Sequence, residues 1–258
     1  MPRYKLTIEY DGSRYHGWQY QREMPTIMGS LMQSIREVYG DIPFELYGAG
    51  RTDAGVHALG QVAHLDIDSK LPAARALREL NQALPRSIAI LALEAAPNRF
   101  HARHDAVARS YVYHIGLRKS AFGRNHTWWV KDALNLEVMA DAAALLEGMH
   151  DFRSFGRTER ESGSTLVQLQ RLRIYELGHS VLIHVLGSHF LWRMVRRLVG
   201  TLVEVGRGGL TPEQVESFLH HESDIPTQLI APPSGLYLEH VYYHGEPIED
   251  EPMFLLNM

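Results

Sequence analysis

The most unusual stretch of the sequence is residues 48–58, Gly48-Ala49-Gly50-Arg51-Thr52-Asp53-Ala54-Gly55-Val56-His57-Ala58. Its three glycines and three alanines permit tight turns and a close approach of another molecule to the backbone. The same segment contains Arg51, Asp53 and His57, a combination expected where a carboxylate is held against a substrate. Aspartate beside glycine is also a common turn residue. The residues alone therefore leave both a catalytic and a purely local interpretation of Asp53 open.

Outward from this stretch, the hydrophobic pattern alternates between strand and helix periods. Thr26 is placed to cap a helix, and Thr211-Pro212-Glu213-Gln214 has the form of a capping box with proline at the first helical position. Strands are predicted at 5–10, 44–47, 61–67, 88–93, 110–115, 169–177, 181–186 and 236–242, and helices over 27–38, 72–84, 138–146, 190–206 and 211–219. Antiparallel strands interleaved with helices in two similar halves predict an α+β fold with a long sheet and a cleft between two lobes.

Composition excludes several functional classes. The chain has 258 residues and no cysteine, which removes disulfides, thiolate zinc sites and cysteine nucleophiles and favours a cytoplasmic setting. No apolar run approaches the roughly 18 to 20 residues needed to span a membrane, and the N-terminus lacks the apolar core of a signal peptide. We therefore expect no membrane association.

The net charge of −4 is unevenly distributed. The first 208 residues carry 26 basic and 21 acidic side chains, whereas residues 209–258 carry nine acidic side chains and no Lys or Arg. Between Arg99 and Arg124 six basic residues accompany one acidic residue. A polyanion binder needs a local positive surface rather than a high overall pI. The distribution is compatible with RNA binding, and equally with a simple solvated acidic end.

The sequence resembles the tRNA pseudouridine synthase A (TruA) family. The segment 50–57, Gly-Arg-Thr-Asp-Ala-Gly-Val-His, is similar to the signature of that family. Further similar segments follow in the family's order along nearly the whole chain: residues 9–13 and 16–19, 100–103, 109–113, 150–155, 190–200, 205–208, 231–233 and 235–238. The chain departs from the family at Met28, where glutamine is common.

The resemblance implies a fold and a reaction. The expected fold is the pseudouridine synthase fold, with two similar lobes that form an extended, mostly antiparallel sheet, helices on one side and a central catalytic cleft. We expect an N-terminal lobe, residues 1–105, which includes the catalytic loop 48–58, and a C-terminal lobe, residues 106–258, in one continuous unit. The implied activity is the conversion of uridine to pseudouridine in the anticodon stem-loop of tRNA, at positions 38–40, by a homodimer.

The resemblance also implies roles for individual residues. Asp53 corresponds to the catalytic aspartate, as nucleophile or general base, and Arg196 to its cationic partner. Tyr111 corresponds to the residue against the target base, and Arg51 is expected to help extrude the nucleotide. Two further arginines in the basic segment are candidate RNA contacts: Arg103 and Arg109.

The residues by themselves leave simpler interpretations of these side chains open. Alternating Tyr111 and Tyr113 are typical of strand packing, and the helical pattern does not distinguish Arg196 from Arg193 and Arg197, which also lie off the apolar stripe. Two other functions stay open as well. One is the same chemistry on other uridines or other RNAs, and the other is a non-catalytic RNA-binding protein.

We expect neither a metal nor a cofactor. His101 and His104 are three residues apart, and His220 and His221 are adjacent, but no His-Glu-x-x-His spacing occurs and no carboxylate cluster completes a site in the sequence. The isomerisation breaks the C1′–N1 bond, turns the uracil and joins C1′ to C5, so it requires no redox step and no energy source.

Overall fold

A computed structural model describes residues 1–158, 163–249 and 251–252 of the chain. The described residues form ten strands and six α-helices. The strands are β1 (Arg3–Tyr10), β2 (Phe44–Gly48), β3 (His57–Ile67), β4 (Ile88–Ala96), β5 (Ala106–Gly116), β6 (Trp128–Trp129), β7 (Gly148–Asp151), β8 (Leu166–Leu177), β9 (Ser180–Gly187) and β10 (Leu236–Tyr243). The helices are α1 (Ile27–Tyr39), α2 (Ala73–Ala83), α3 (Leu136–Leu145), α4 (Met194–Gly206), α5 (Pro212–His220) and α6 (Ile225–Gln228).

The first of two compact units consists of Met1–Val107 and Tyr237–Ile248. Its strands follow the order β4-β1-β3-β10, and β2 pairs with β3 as well. All these pairings are antiparallel except that of β10 with β3, where Tyr237 lies opposite His57. The segment 237–248, which the sequence alone assigned to the C-terminal lobe, therefore joins the first unit because its strand extends the sheet at β3.

The second unit consists of the described residues within 108–236 and 249–252. Its strands follow the order β5-β9-β8-β7 with antiparallel pairings, and the short β6 runs parallel to β5. Helix α3 packs against α4, α5 and β8. Each unit thus combines a mostly antiparallel sheet with helices, and the α+β fold class predicted from the sequence is confirmed.

Local sequence signals explain most helix boundaries. Thr26 caps α1 by accepting a hydrogen bond from the Gly29 amide, and Ile27, Leu31 and Ile35 form its buried stripe. Thr211 and Gln214 form the predicted capping box at the start of α5. None of the helices in the described part of the chain combines the length and the apolar composition needed to span a membrane.

Helix α4 begins later than the apolar spacing predicted. Phe190 was expected to open its stripe, but the helix starts at Met194 because Arg193 has a left-handed backbone conformation, with φ 63°. The sequence pattern also allowed Arg197 to lie on the surface, but in the structure it is only 5% exposed. Its burial follows from the position of α4, whose residues from Leu198 to Val203 are all buried.

Strand β3 is buried on both faces rather than on one. Every residue from Gln61 to Ile67 is buried, including His64 and Asp66. The Asp66 carboxylate accepts hydrogen bonds from Arg3 at 2.6 and 2.5 Å, and this partner lowers the pKa of the carboxyl group. A charged residue is therefore stable in this central strand because it is paired.

Candidate active site

Residues 48–58 begin at the last residue of β2 and end in the first residues of β3, and residues 49–56 form the connection between the two strands. The strands pair antiparallel, so the start of the loop lies beside β3 and is anchored to it. The Ala49 amide donates to the carbonyl of Val62 at 2.7 Å, and the side-chain amide of Gln61, which is fully buried, donates to the carbonyl of Gly50 at 3.1 Å. The loop that carries Asp53 is thus built on the central strand of the first unit.

A second segment of the first unit, residues 10–18, holds the middle of the loop. The Trp18 amide donates to the carbonyl of Thr52 at 3.1 Å, and the hydroxyl groups of Tyr10 and Thr52 are 2.8 Å apart. The Gly55 amide donates to the carbonyl of Tyr15 at 3.2 Å. Thr52 and Gly55, one before and one after Asp53 in the chain, are each fixed by a backbone hydrogen bond, which limits the motion of the carboxylate between them.

Two glycines of residues 10–18 permit this close packing. A Cβ atom on Gly12 would lie 1.9 Å from the carbonyl oxygen of Val56. Gly17 has a φ of 86°, and a Cβ atom there would lie 2.4 Å from the carbonyl oxygen of Thr52. Both positions therefore require a residue without a side chain. Both glycines belong to segments that resemble the family, residues 9–13 and 16–19, but only the structure shows that they contact the loop.

His57 fixes the end of the loop. Its side chain is 1% exposed, and its Nδ1 accepts a hydrogen bond from the Gly12 amide at 3.2 Å. The imidazole stacks on Tyr237, with 4.7 Å between the ring centres. Burial raises the pKa of Tyr237, so the phenol stays neutral. The His57 of the signature and the Tyr237 of the C-terminal motif thus meet as a packing pair behind the loop.

Arg51 and Asp53 differ in exposure. Arg51 is exposed, and its Nε donates to the Gln19 side chain at 3.2 Å. Asp53 is half-buried, and its carbonyl accepts a hydrogen bond from the Val56 amide at 3.2 Å. Gly55, with a φ of 78°, makes the turn that separates these two residues from β3. The loop therefore presents one cation and one carboxylate on a fixed backbone.

Arg196 lies in the first turn of α4, in the second unit. Its Nε donates to the carbonyl of Ala231 at 2.7 Å, and its own carbonyl accepts a hydrogen bond from the Ala231 amide at 3.0 Å. The next residue, Pro232, accepts a hydrogen bond from the Tyr113 hydroxyl at 2.8 Å. Burial raises the pKa of Tyr113, which keeps this hydroxyl a donor. The segment at Ala231 thus orients the guanidinium, a role that sequence reasoning did not assign.

Tyr111 lies on β5, also in the second unit. It is half-buried, and its ring meets Phe190 edge to face, with 5.1 Å between centres and 85° between planes. Tyr113, two residues along the same strand, is fully buried. The strand-packing interpretation therefore describes Tyr113, whereas Tyr111 retains an accessible surface.

The two candidate RNA contacts are unlike each other. Arg103 is exposed, and its amide donates to Nδ1 of His101 at 3.2 Å. The segment is held by His64, whose Nδ1 accepts from the Ala102 amide at 3.2 Å, and burial lowers the pKa of His64 to about 4. Arg109 is half-buried, and its guanidinium donates to the carbonyl of Ser188 at 2.8 Å. Arg109 thus also contributes to packing within the second unit.

The comparison with known protein families identifies the family of the chain. The sequence model of the family described as tRNA pseudouridine synthase matches residues 6–105 and 142–244. The chain belongs to the tRNA pseudouridine synthase family. The matched ranges contain the loop 48–58, Arg103 and Arg196, whereas Tyr111 and Arg109 lie between them.

Curated relatives give the same result over almost the whole chain. The tRNA pseudouridine synthase A of Bartonella henselae is 39% identical over 248 residues, which cover 94% of this chain and 100% of the relative. The proteins of the same name from Bradyrhizobium diazoefficiens and Nitrobacter hamburgensis are 41% and 42% identical over 246 residues, again with 94% and 100% covered. The family and the enzyme class predicted from the sequence, a tRNA pseudouridine synthase and therefore an isomerase, are confirmed.

Proposed function

We propose that this enzyme isomerises uridine to pseudouridine at positions 38–40 of the anticodon stem-loop of tRNA, with Asp53 as the catalytic carboxylate. The observation that carries the proposal is the fixed loop 48–58, in which Thr52 and Gly55 are held by residues 10–18 on either side of Asp53. A preorganised carboxylate costs no reorganisation when the reaction begins.

The chemistry needs little else from the protein. The C1′–N1 bond breaks, the uracil turns, and C1′ joins C5, so that the proton of C5 is released and N1 gains one. An ionised Asp53 serves either as nucleophile or as the base that removes the C2′ proton. Arg196 is the proposed cationic partner of this carboxylate. Arg51 is proposed to hold a phosphate or to take the place of the extruded nucleotide.

The direct test is an assay on unmodified tRNA. The purified protein is incubated with tRNA transcripts, and pseudouridine is mapped by chemical probing. We expect modification at positions 38–40. Modification confined to other uridines would favour the alternative of the same chemistry at another site, and binding without any pseudouridine would favour a non-catalytic RNA-binding protein. The setting we propose is the cytoplasm, consistent with a chain that contains no cysteine.

Tyr111→Phe separates the two roles proposed for Tyr111. Phenylalanine keeps the edge-to-face contact with Phe190 and the face that would stack on the target base, but it lacks the hydroxyl. We expect tRNA affinity near that of the wild type and turnover reduced about 100-fold, the typical contribution of a positioned acid–base group. Tyr175→Phe, the same change at a half-buried residue of β8, is the control. A fully active Tyr111→Phe enzyme would leave only packing or stacking for Tyr111.

RNA binding is expected to be electrostatic. If about five phosphates are neutralised, the plot of log affinity against log salt should have a slope of roughly −3 to −5. Arg103→Glu and Arg109→Glu should weaken tRNA binding more than Arg78→Glu, which changes an exposed arginine of α2. Arg103→Glu is the cleaner variant because Arg109 also donates to Ser188. Affinity independent of salt would contradict a basic binding surface.

We propose that the protein acts as a homodimer, with each tRNA contacting both subunits. The exposed aromatic surface of Trp129, 38% accessible on β6, supports the proposal. A second argument from the sequence, the apolar segment 253–256, lies outside the described residues. Light scattering at micromolar concentration should give twice the chain mass of 29.3 kDa. A single-chain mass under these conditions would refute the dimer.

A further inference from the structure

Arg193 has an unusual backbone conformation directly before α4. It is the only non-glycine residue with a positive φ in the described part of the chain, at φ 63° and ψ 8°. The left-handed region is unfavourable for a residue with a Cβ atom, and such conformations concentrate at functional sites. Glycine, which adopts this conformation freely, would make the same turn at lower cost. The arginine side chain is therefore the feature that needs an explanation.

The side chain of Arg193 lies over the indole of Trp192. Its Cζ is 4.1 Å from the centre of the ring, and both residues are exposed, Trp192 by 47%. Among the described residues, Arg193 has this ring as its contact and no carboxylate or carbonyl within hydrogen-bond distance. The exposed guanidinium therefore lies on a ring and not in an ion pair with any of the described residues.

The backbone around this pair is anchored. The Trp192 amide donates to the carbonyl of Arg157 at 3.0 Å in an isolated β-bridge, and the Met194 amide donates to the carbonyl of Leu191 at 3.0 Å. Leu191 is 7% exposed and packs tightly against Gly156: a Cβ atom added to Gly156 would lie 2.4 Å from the Cβ atom of Leu191. Trp192 and Arg193 therefore lie in a turn whose backbone is fixed by hydrogen bonds and packing, and the left-handed conformation of Arg193 occurs in a well-anchored segment.

We propose that Trp192 and Arg193 form a binding site for a nucleotide of the RNA substrate. A guanidinium that lies on an indole offers its second face to a base, and its edge can bind a phosphate through two N–H groups. An exposed stack of this kind suits an unpaired nucleotide, whose base and phosphate are both accessible.

The position of the pair indicates which nucleotide it binds. Arg193 is three residues before Arg196, and Phe190, two residues before Trp192, contacts Tyr111. Tyr111 is the residue proposed to hold the target base. The pair is therefore assigned to an unpaired nucleotide that flanks the target uridine, and this assignment rests on the proposed function.

The test compares two substitutions that remove the same charge. Arg193→Gly also relieves the backbone strain, whereas Arg193→Gln leaves it in place. We expect the Tm of Arg193→Gly to be unchanged or a few degrees higher. Both variants should show KM and tRNA Kd raised about 10-fold, kcat within about twofold, and a salt slope shallower by about 1, as expected when one phosphate contact is lost.

The matched control is Arg36→Gln, which removes a guanidinium from another ring contact, 5.6 Å from the centre of Phe44. It should leave KM and the salt slope unchanged. The inference is overturned if both Arg193 variants retain the wild-type KM and salt slope, the outcome expected of a surface used by an acidic protein partner. It is also overturned if only Arg193→Gly loses affinity, because the effect would then be conformational. Failure of the proposed function is distinguishable, since the wild-type protein would then form no pseudouridine at all.

Discussion

An Asp53→Asn enzyme is expected to fold normally, to bind tRNA, and to form no pseudouridine above background. Asparagine has nearly the size of aspartate and still accepts a hydrogen bond. The backbone contacts of the loop, from Trp18 to Thr52 and from Val56 to the carbonyl of residue 53, do not involve the changed atoms. Stability and tRNA affinity should therefore stay close to those of the wild type, with affinity slightly higher because a negative charge near the phosphates is lost.

Turnover should fall by several orders of magnitude. The neutral amide cannot attack carbon and cannot take the proton from C2′. Removal of the group that performs the central covalent or proton-transfer step typically lowers the rate by several orders of magnitude. Single-turnover measurement of pseudouridine with saturating enzyme would report the chemical step directly. The matched control is Asp68→Asn, the same change at an exposed residue that follows β3, which should retain full activity.

Asp11 is the nearby acid to examine if activity remains. Its carboxylate accepts hydrogen bonds from the amide and the hydroxyl of Ser13, at 2.9 and 2.5 Å, and it caps a short 3₁₀ turn. These contacts give it a structural use already. Removal of a general acid or base typically slows a reaction at least about 100-fold. If Asp53→Asn retains more than about a hundredth of the wild-type rate, Asp53 is therefore not the central catalytic residue.

Local sequence signals predicted the elements whose cause is local. The buried stripe of α1, its cap at Thr26 and the capping box of α5 depend on residues within a few positions of each other, so the pattern was sufficient. The two-residue strand β6 and the four-residue strand β7 are too short to produce a period, and the sequence did not predict them. The late start of α4 depends on one backbone angle at Arg193, which no hydrophobic spacing encodes.

The candidate site divides in the same way. The loop 48–58 was recognisable from its own residues, whereas its support was not, because the contacts join positions far apart in the chain. Tyr237 stacks on His57 across 180 positions of sequence, and Arg196 is oriented by Ala231 across 35. Contacts of this kind arise from the topology of the sheet and of α4, which the order of residues alone does not specify.

The glycine at position 12 provides the second large expected effect. Gly12→Ala places a Cβ atom 1.9 Å from the carbonyl oxygen of Val56 and 2.6 Å from its carbonyl carbon, so one of the two backbone segments must move. Overpacking of this kind costs about 1 to 3 kcal/mol of folding free energy. The Gly12 amide also donates to His57, so the shift should displace the end of the loop that carries Asp53, at Val56 and His57. We expect a lower Tm and, because a displacement of about 1 Å at a reacting group costs roughly 100-fold in rate, a kcat reduced by a similar factor.

Gly50→Ala is the matched control for this effect, because it adds the same methyl group within the loop itself. A Cβ atom on Gly50 would meet no atom of the described residues within 4 Å, and Gly50 is not among the glycines with a positive φ. Its Tm should therefore stay within about 2 °C of the wild-type value, as expected for a free-energy change below roughly 0.5 kcal/mol. Equal stability and equal kcat for Gly12→Ala and the wild type would mean that residues 10–18 do not hold the loop. A loss of Tm and kcat in Gly12→Ala, with an unchanged Tm in Gly50→Ala, would identify the packing of Gly12 against Val56 as the contact that keeps Asp53 in position.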